Sequence, residues 1–356
     1  MTGLARTRSA VVDLIDAVLE VSVAGGFSRL GYAARSRLLP EFGPKAFPSL
    51  AGRTVLITGA TSGIGLAAAS RLAGLGATVS FLARSRDRAE RARSRIAAAA
   101  ASADHDPDSA GYGLADLDDL DSVRDFAAWF GATHSRLDVL VHNAGAIHPR
   151  QQHSPAGLEL TAAGQLVAPF LLTHLLLGEL RRSAPSRVIT VSSGGMYTQR
   201  LDLTGLEPAE ADYSGVTAYA RVKRAQVALS SQWALRTAGS GIAFHAMHPG
   251  WVRTPGISQA LPRFSRLMGP LLRTPDQGAD TLVWLASTDP DQLGSGQFWH
   301  DRRPRPVYRF LGAQPGPPDA ADQLWDWVAT QAGIDPGAAA RQDQAAGRAA
   351  GRGLPG

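Results

Sequence analysis

The sequence predicts an α/β fold in which helices cover both faces of one doubly wound parallel sheet. Two observations carry this prediction. Short apolar strands alternate with amphipathic helices from residue 54 to residue 300, and continuous apolar strands of this kind are buried on both faces, as in a parallel sheet. A glycine-rich turn from Gly59 to Gly65 follows the first strand and opens the first helix of this alternation.

The predicted elements follow each other in regular order. We expect strands at 54–58, 78–83, 138–142, 187–192 and 242–247, with a weaker strand near 111–115 and a short one at 297–300. We expect helices at 63–75, 86–101, 119–131, 155–181, 216–237 and 275–287. The sequence has no internal repeat, so these elements are assigned to one domain.

The chain divides into an arm, a domain and a tail. Residues 1–50 are predicted to form an N-terminal helical arm and linker, with helices at Ser9 to Glu20 and Phe27 to Leu39. This basic amphipathic pair would either make a peripheral membrane contact or pack on the domain, and we favour packing. The arm is expected to add little to the chemistry. The domain covers 51–332, and 333–356, which lacks periodicity, is predicted to be a disordered tail.

Composition argues against several classes of protein. The 356 residues are 44% hydrophobic, enough for a packed core, and include no cysteine, which excludes disulfides and makes a cytoplasmic location the expectation. No apolar run reaches the roughly 18 residues of a transmembrane helix. Acidic residues interrupt what would be the apolar region of a signal peptide. The net charge of +5 is scattered and no nucleic-acid module accompanies it, so nucleic acid is not an expected partner.

The turn between the first strand and the first helix predicts a nucleotide-binding site of the Rossmann-like kind. Gly59 permits the tight turn, Gly63 lets the backbone approach a pyrophosphate at the helix N-terminus, and Gly65 lets helix and strand pack closely. The position after a strand and before a helix gives the spacing its meaning. The residues predicted to bind the cofactor here are Thr58, Gly59, Ser62, Gly63, Ile64 and Gly65.

Arg84, at the end of the second strand, predicts the choice of cofactor. An enzyme that reads NAD carries an acid here, whereas an arginine offers a charge-assisted fork to the 2′-phosphate of NADP. NADP is therefore the expected cofactor. The alternative is a solvated charge at a helix entry, because Arg86 and Arg88 follow. Asp116 and Leu117, after the weak third strand, would lie near the adenine, or Asp116 would cap the next helix.

Two positions stand out because the chain has nearly eliminated their residue types. Asn143 is the sole asparagine, and it lies with Gly145 in the turn after the fourth strand, where its amide would join neighbouring strands. Lys223 and Lys45 are the only lysines beside thirty-four arginines. Lys223 follows Tyr219 by one helical turn. A compact ammonium there would lower the pKa of the phenol and let it exchange protons, a role that a forked guanidinium cannot take.

Five motifs in one order resemble the short-chain dehydrogenase/reductase superfamily over about residues 50 to 300. They are the glycine turn, Asn143-Ala-Gly145, Ser192-Ser193, Tyr219-x-x-x-Lys223 and Pro249-Gly250. Within the superfamily the chain is most similar to the subgroup called dehydrogenase/reductase family member twelve. That similarity lies in residues 188–196, 247–251, 254–256 and 277–281, and in an arm ahead of the glycine turn.

The resemblance implies an oxidoreductase that transfers hydride between a nicotinamide and a carbonyl or alcohol. Tyr219 would donate or accept the proton, and Lys223 would lower its pKa and bind the nicotinamide ribose. Ser193, rather than Ser192, would hydrogen-bond the substrate oxygen. The residues that would line the nicotinamide pocket are Pro249, Gly250, Val252 and Thr254.

One position departs from the family pattern. Many members carry an asparagine that holds a water of the proton relay, and the matching residue here is Gln165, which keeps the amide but adds a methylene. Gln165 is therefore included among the catalytic candidates. The alternative function is an NADP-binding protein on the same fold that has lost catalysis.

The segment from Thr254 to Arg273 covers the substrate in this family. Here it is apolar, so a lipophilic carbonyl or alcohol is expected, such as a sterol, a retinoid or a long-chain aldehyde; alternatively, its side chains simply pack on the core. No metal is expected, because His148 and His153, near the mouth of the site, have no accompanying carboxylate cluster and the family uses no catalytic metal.

Overall fold

A computed structural model describes residues 3–43, 47–309 and 312–340. The strands are β1 Thr54–Thr58, β2 Thr78–Ala83, β3 Ala110–Leu114, β4 Val139–His142, β5 Ser186–Val191, β6 Ile242–Met247, β7 Gln297–His300 and β8 Arg303–Pro304. They form one sheet in the order β3-β2-β1-β4-β5-β6-β7-β8. Strands β1 to β7 run parallel, and β8 pairs antiparallel with β7. The predicted parallel sheet is confirmed, with β8 added at its edge.

The helices of the described residues are α1 Gly3–Val21, α2 Val23–Phe27, α3 Arg29–Leu38, α4 Gly63–Gly74, α5 Arg86–Ala101, α6 Leu120–Thr133, α7 Leu160–Ala162, α8 Ala168–Leu175, α9 Leu177–Arg182, α10 Gly215–Arg236, α11 Pro255–Ala260, α12 Pro262–Met268, α13 Pro275–Ser287 and α14 Ala320–Gln331. They cover both faces of the sheet. Leu56 and Ile57, successive residues of β1, are both 0% exposed and belong to separate apolar clusters. Both faces are buried, which explains why the strands are continuously apolar.

The helix predicted at 155–181 is interrupted in the structure. Helical structure begins at Leu160, and a π-helical turn at Ala163–Val167 separates α7 from α8. Pro169 accounts for this turn, because a proline cannot donate to the carbonyl four residues earlier, here that of Gln165, and its ring would clash with it. Such turns are frequent at functional sites, and this one contains Gln165.

The C-terminal part of the described chain is more ordered than the sequence predicts. Helix α14 is not predicted, although Leu324, Trp325 and Val328 are all 0% exposed. Ala339 is equally buried, and its carbonyl oxygen lies 2.7 Å from Nδ1 of His174. Residues 333–340 therefore do not match the predicted disordered tail, and 341–356 lie outside the described residues.

The N-terminal arm packs on the domain, which is the favoured alternative. The second predicted helix is broken at Ser28, because the Ser28 hydroxyl caps α3 by accepting a backbone N–H at 3.4 Å. Ser22 caps α2 in the same way, at 3.0 Å. Phe27 and Arg35 are 3% and 0% exposed. No helix within the described ranges combines the length and apolarity needed to cross a bilayer. Lys45, in the predicted linker, lies outside the described residues.

Candidate active site

A cavity of about 380 Å³ opens at the carboxyl ends of β1, β4, β5 and β6. Strands β1 and β4 are neighbours, yet the chain leaves β1 toward β2 on one side and β4 toward β5 on the other. Open α/β sheets bind ligands at such a switch point. The cavity therefore lies where the fold predicts a ligand site.

The glycine turn forms one wall of this cavity, between β1 and α4. Gly59 has a φ of 71°, and a Cβ placed on it would lie 2.8 Å from Cα of Ala144. A Cβ on Gly65 would lie 2.3 Å from the Gly59 carbonyl oxygen. Among the described residues, Ser62 makes no side-chain capping bond at the start of α4. The first-turn N–H groups of α4 are thus available to an anion, as a pyrophosphate requires.

Asn143 joins the ends of β1 and β4. Its Nδ2 donates to the carbonyl oxygens of Thr58 at 3.0 Å and Gly59 at 3.2 Å, which is the bonding predicted for this amide. Its N–H and that of Ala144 both donate to Oγ1 of Thr58 at 3.0 Å. Thr58 is 1% exposed and is not among the described residues that line the cavity. Its predicted contact with the cofactor stays a prediction, and its hydroxyl holds the two turns together.

Arg84 lies at the cavity with 64% of its side chain exposed. Its guanidinium is 3.4 Å from Asp118 and 3.9 Å from Asp116. Because the Arg84 side chain is mostly exposed, these ion pairs contribute little to stability. Arg88 also lines the cavity, and its Nη2 donates to Oγ1 of Thr61 at 3.3 Å. Arg88 is thus a second arginine at this end of the cavity, which the sequence reasoning treats only as a surface charge.

Asp116 and Leu117 both line the cavity. The alternative that Asp116 caps the next helix is wrong, because Asp119 occupies the N-cap of α6 and accepts the Asp121 N–H at 3.0 Å. Asp118 lines the cavity as well, and burial followed by the charge of Asp116 raises the pKa of its carboxyl. This acidic corner faces the arginines at the cofactor end.

Tyr219 and Ser193 meet at the cavity. Ser193 follows β5, and its hydroxyl accepts the Gly195 N–H at 3.2 Å. Burial raises the pKa of Tyr219 to about 12, and a hydrogen bond with Ser193 acts in the opposite direction. Ser192 is 2% exposed and donates to the carbonyl oxygen of Lys223 at 2.8 Å, which engages its hydroxyl in holding α10. Ser193 is therefore the serine that accompanies Tyr219.

Lys223 is 2% exposed, and its Nζ lies 5.2 Å from the centroid of the Tyr219 ring. Nζ donates to the carbonyl oxygen of Val191 at 3.0 Å and to Oε1 of Gln226 at 3.1 Å. Burial lowers the pKa of Lys223 to about 7. The expected lowering of the Tyr219 pKa by Lys223 does not appear, because burial dominates at both groups and these two acceptors hold the ammonium under the ring.

The π-helical turn connects Gln165 to Lys223 through Gln226, a residue that the sequence reasoning missed. The Gln165 carbonyl, to which Pro169 cannot donate, accepts Nε2 of Gln226 at 2.5 Å. Gln226 therefore bridges the turn and the ammonium, and its position three residues after Lys223 on one helix face was the available signal. The Gln165 side chain donates to the carbonyl oxygen of Ala146 at 2.6 Å. Its Oε1 is buried without a partner among the described residues.

The loop after β6 forms the opposite wall. All four residues predicted from the family resemblance line the cavity: Pro249, Gly250, Val252 and Thr254. Trp251, which was not predicted, lines it too, and its ring meets Phe264 of α12 edge-on at 5.5 Å. The predicted cover has mixed roles. Phe264 lines the cavity, Leu272 is buried at 3% exposure, and Leu267 is 81% exposed.

The cavity thus brings together every predicted site residue except Thr58. Sequence reasoning missed several described residues that line it and that lie outside the quoted motifs. They include Arg88, Asp118, Ala146, Ile147 and Leu160.

One group of possible metal ligands among the described residues belongs to an ion-pair network instead. His148 lines the cavity, but neither it nor His153 joins a cluster of possible metal ligands in the described chain. A different trio has ligand atoms within 4.8 Å of one another: Glu20, His248 and His300. Guanidinium nitrogens of Arg35 and Arg273 lie 3.3 and 3.2 Å from the ring nitrogens of His300. Their positive charges oppose a cation there.

Comparisons with known proteins agree with this geometry. The family described as short chain dehydrogenase matches residues 53–262. Dehydrogenase/reductase SDR family member 12 of Homo sapiens is 36% identical over 274 residues, covering 77% of this chain and 84% of that protein. Retinol dehydrogenase 14 of Mus musculus is 34% identical over 297 residues, covering 80% and 86%.

Solved structures show the same likeness. An uncharacterized protein from Mycobacterium paratuberculosis has a TM-score of 0.61 and 29% identity, covering 81% of this chain and 96% of that chain. The Pseudomonas aeruginosa RhlG/NADP active-site complex has a TM-score of 0.56 and 28% identity, covering 70% and 94%. The chain belongs to the short-chain dehydrogenase/reductase family, whose members are oxidoreductases that bind a nicotinamide cofactor.

Proposed function

We propose that this protein transfers hydride between NADP(H) and a lipophilic carbonyl or alcohol. The observation that carries the proposal is that Tyr219, Ser193 and Lys223 line the same cavity as the glycine turn. A proton carrier and a hydroxyl anchor therefore share one cavity with an anion-binding helix end. These are the groups that carbonyl reduction needs from the protein.

The residues divide the proton chemistry between them. When bound, the nicotinamide supplies or accepts the hydride. In the reducing direction Tyr219 donates its proton to the substrate oxygen, and Ser193 donates a hydrogen bond to the same oxygen. With its pKa raised to about 12, the phenol carries its proton at neutral pH. Lys223 donates to Val191 and Gln226, and its remaining N–H would hold the nicotinamide ribose.

The preference for NADP is supported by the two arginines at the cofactor end. Arg84 and Arg88 both line the cavity, and the ion pairs of the 64% exposed Arg84 with Asp118 and Asp116 are long, at 3.4 and 3.9 Å. A 2′-phosphate would give Arg84 a stronger, charge-assisted partner than either aspartate. The solved RhlG/NADP complex is a structural neighbour with this cofactor.

The lipophilic substrate class is supported by the wall opposite the glycine turn. Ile147, Leu160, Trp251 and Phe264 line this part of the cavity. Apolar walls with a few polar groups orient apolar ligands that carry one reactive oxygen. The similarity to retinol dehydrogenases, proteins named for a lipophilic alcohol, is consistent with this class.

A chain-length series tests the proposal. We expect NADPH oxidation with straight-chain aldehydes and ketones, with kcat/KM rising as the chain lengthens and fills the apolar wall. Tyr219→Phe is the matched control, because it removes the proton carrier alone. Absence of hydride transfer in single-turnover mixtures with every carbonyl tried, despite tight NADPH binding, would refute the enzymatic function.

The alternative, a non-catalytic NADP-binding protein, is favoured by one observation. One side-chain N–H of Gln165 is engaged by Ala146 and its backbone carbonyl by Gln226, so these bonds serve structural partners, and the buried Oε1 is left without a partner among the described residues. Single-turnover hydride transfer separates the two functions. Under the enzymatic proposal, Gln165→Asn keeps or raises turnover and Gln165→Ala lowers it. Transfer that appears only in Gln165→Asn would favour the non-catalytic function instead.

We also propose that the arm makes a peripheral contact with an anionic lipid surface. Leu14, Val18 and Val21 form one exposed stripe on α1, at 65%, 63% and 78% exposure, and Leu30 of α3 is 60% exposed. Arg29, adjacent to Leu30, is exposed as well. Exposed apolar side chains beside a cation suit the boundary between headgroups and acyl chains. The predicted cytoplasmic location stays a prediction.

Flotation with vesicles tests this contact. The protein should float with vesicles that contain phosphatidylserine, and less with purely zwitterionic ones. Val18→Asp combined with Leu30→Asp should abolish flotation. Leu235→Asp is the control, because Leu235 is 71% exposed on α10 outside the arm. Equal flotation of both variants would contradict the proposal.

A further inference from the structure

The joint between α2 and α3 of the arm lies directly against two loops of the active site. Phe27, the last residue of α2, is 3% exposed. A Cβ placed on Gly194, the neighbour of Ser193, would lie 2.4 Å from a carbon of the Phe27 ring. The carbonyl oxygen of Phe27 accepts the Trp251 N–H at 2.8 Å. One arm residue therefore contacts the strand-end that carries the substrate-binding serine and the loop that lines the opposite wall.

Arg273 fixes the same joint from the other side. Its guanidinium is 1% exposed and donates to the carbonyl oxygens of Gly26 at 2.9 Å, Phe27 at 3.1 Å and Pro249 at 3.3 Å. Gly250 has a φ of 75°, and a Cβ on it would lie 2.5 Å from Nε of Arg273 and 2.7 Å from the Phe27 oxygen. The loop at 249–251 is therefore enclosed between Arg273 and the arm, with no room for a side chain at its centre.

A buried charge network keeps the joint in place. Arg35 of α3 is 0% exposed and bonds Asp16 at 2.7 Å, Glu20 at 2.9 Å and Asp301 at 2.8 Å. Asp301 also bonds Arg273 at 2.6 Å. Removing one partner of a buried ion pair strongly destabilises the folded protein, because the other charge stays buried without compensation. The shared carboxylate of Asp301 thus couples the arm to the residue that holds the active-site loop.

We propose that Phe27 is a positioning residue of the active site, which holds Gly194 beside Ser193 and the loop at 249–251 in their reactive arrangement. The proposal rests on the proposed hydride transfer and extends it to the arm. The chemistry needs such support, because misplacing a reacting group by about 1 Å can lower a rate by ~100-fold. This proposal differs from the expectation that the arm adds little to the chemistry, and the experiment below decides between them.

The test compares two arm phenylalanines in the full chain. Phe27→Ala removes the ring at the joint. Phe42→Ala removes a ring that packs on Tyr32 and Arg302 instead, and so serves as the matched control. Phe27→Leu keeps apolar bulk in case Phe27→Ala does not fold. The readouts are turnover number, NADPH affinity by calorimetry, thermal unfolding and amide hydrogen exchange at Trp251.

We expect Phe27→Ala, or Phe27→Leu to a lesser degree, to lower the turnover number by about 10- to 100-fold and to speed exchange at Trp251. Phe42→Ala should change the turnover number and the exchange rate at Trp251 by less than about 2-fold, which we count as no effect. This should hold even if Phe42→Ala lowers the unfolding temperature as much as Phe27→Ala does. Equal losses in the Phe27 and Phe42 variants would overturn the proposal, since stability alone would explain them. So would unchanged exchange and turnover in folded Phe27 variants.

The exchange measurement separates this proposal from the proposed function. If the wild-type protein reduces no carbonyl, the hydride-transfer proposal fails, and exchange at Trp251 together with NADPH affinity still decides whether Phe27 holds the loop. Faster exchange and weaker NADPH binding in the Phe27 variants alone would support the positioning role. Unchanged values for both would refute it.

Discussion

The two sides of the cavity are built in different ways. On the cofactor side, bonds join backbone groups at adjacent strand ends, as Asn143 does with Thr58 and Gly59. On the substrate side, the loop at 249–251 depends on partners far away in sequence. Arg273 donates to Gly26 across 247 positions. Short sequence motifs can therefore specify only the cofactor side, whereas the substrate side depends on contacts between residues that are far apart in the sequence.

The largest expected effect lies at the border between the two sides. Tyr219→Phe should lower the turnover number by ~100- to 10,000-fold, the range of a lost general acid or base, with NADPH affinity unchanged. Lys223→Arg should fail almost as badly, because a planar guanidinium cannot replace a 2% exposed ammonium that bonds Val191 and Gln226.

Steady-state kinetics measures the turnover number of each variant, and calorimetry on the same preparations measures its NADPH affinity. Near-normal turnover in Lys223→Arg would contradict the argument from the two lysines. A large loss of NADPH affinity in Tyr219→Phe would show that the two sides are not separable at this border.

The next effect belongs to the cofactor side only. Arg84→Ala should weaken NADPH relative to NADH by about 1.5–3 kcal/mol, the range for a hydrogen bond to a charged group. Turnover at saturating NADPH should be unchanged. Arg86→Ala is the matched control, because Arg86 interacts with Tyr112 and Glu90. Calorimetric titration with both cofactors measures it, and equal losses for NADPH and NADH would remove Arg84 as the reader of the phosphate.

Much of the fold could be predicted because its signals are local. Strand β1 and helix α5 begin and end where the periodicity predicts. The break near Gln165 was not predicted, since a single proline shifts the hydrogen bonding of a helix that otherwise has a continuous apolar pattern. Phe27 was not predicted as part of the site, because its importance depends on a contact with Gly194, and no periodicity within the arm reports that contact.

Gln226 provides a smaller effect that falls on the chemistry side. Gln226→Leu removes both bonds of its amide, to Lys223 and to the Gln165 carbonyl. We expect turnover to fall by roughly 10-fold, because the ammonium is no longer held under the Tyr219 ring, with NADPH affinity nearly unchanged. Gln232→Leu, on the same helix, is the control, because Gln232 bonds Arg236 near the end of α10. Stopped-flow hydride transfer measures both, and equal rates for the two variants would assign Gln226 no part in the reaction.

The smallest expected effect is that of low pH on stability. It should differ between the arm and the cofactor side. Burial alone would raise the pKa of Asp16 and of Asp301, but Arg305 and Arg35 hold the pKa of Asp16 low and Arg273 holds that of Asp301 low. A carboxyl with a lowered folded-state pKa stabilises the fold above its ordinary pKa, and that contribution is lost as pH falls through the folded-state value. On the cofactor side the pKa of Asp118 is raised, so protonation there does not oppose folding.

Acidification below about pH 4, the ordinary range of aspartate, should therefore loosen the arm before the glycine turn. Amide exchange, corrected for its intrinsic dependence on pH, should rise in α1 to α3 first. Asp16→Asn should produce the same loosening at neutral pH, because it removes one carboxylate partner from each of the buried arginines Arg35 and Arg305. Asp13→Asn is the control, since its carboxylate is 57% exposed and an ion pair there contributes little. If the arm and the cofactor side lose exchange protection together in acid, they form one cooperative unit. The effect of Phe27 on the loop at 249–251 would then have to be judged from the exchange rate at Trp251 alone.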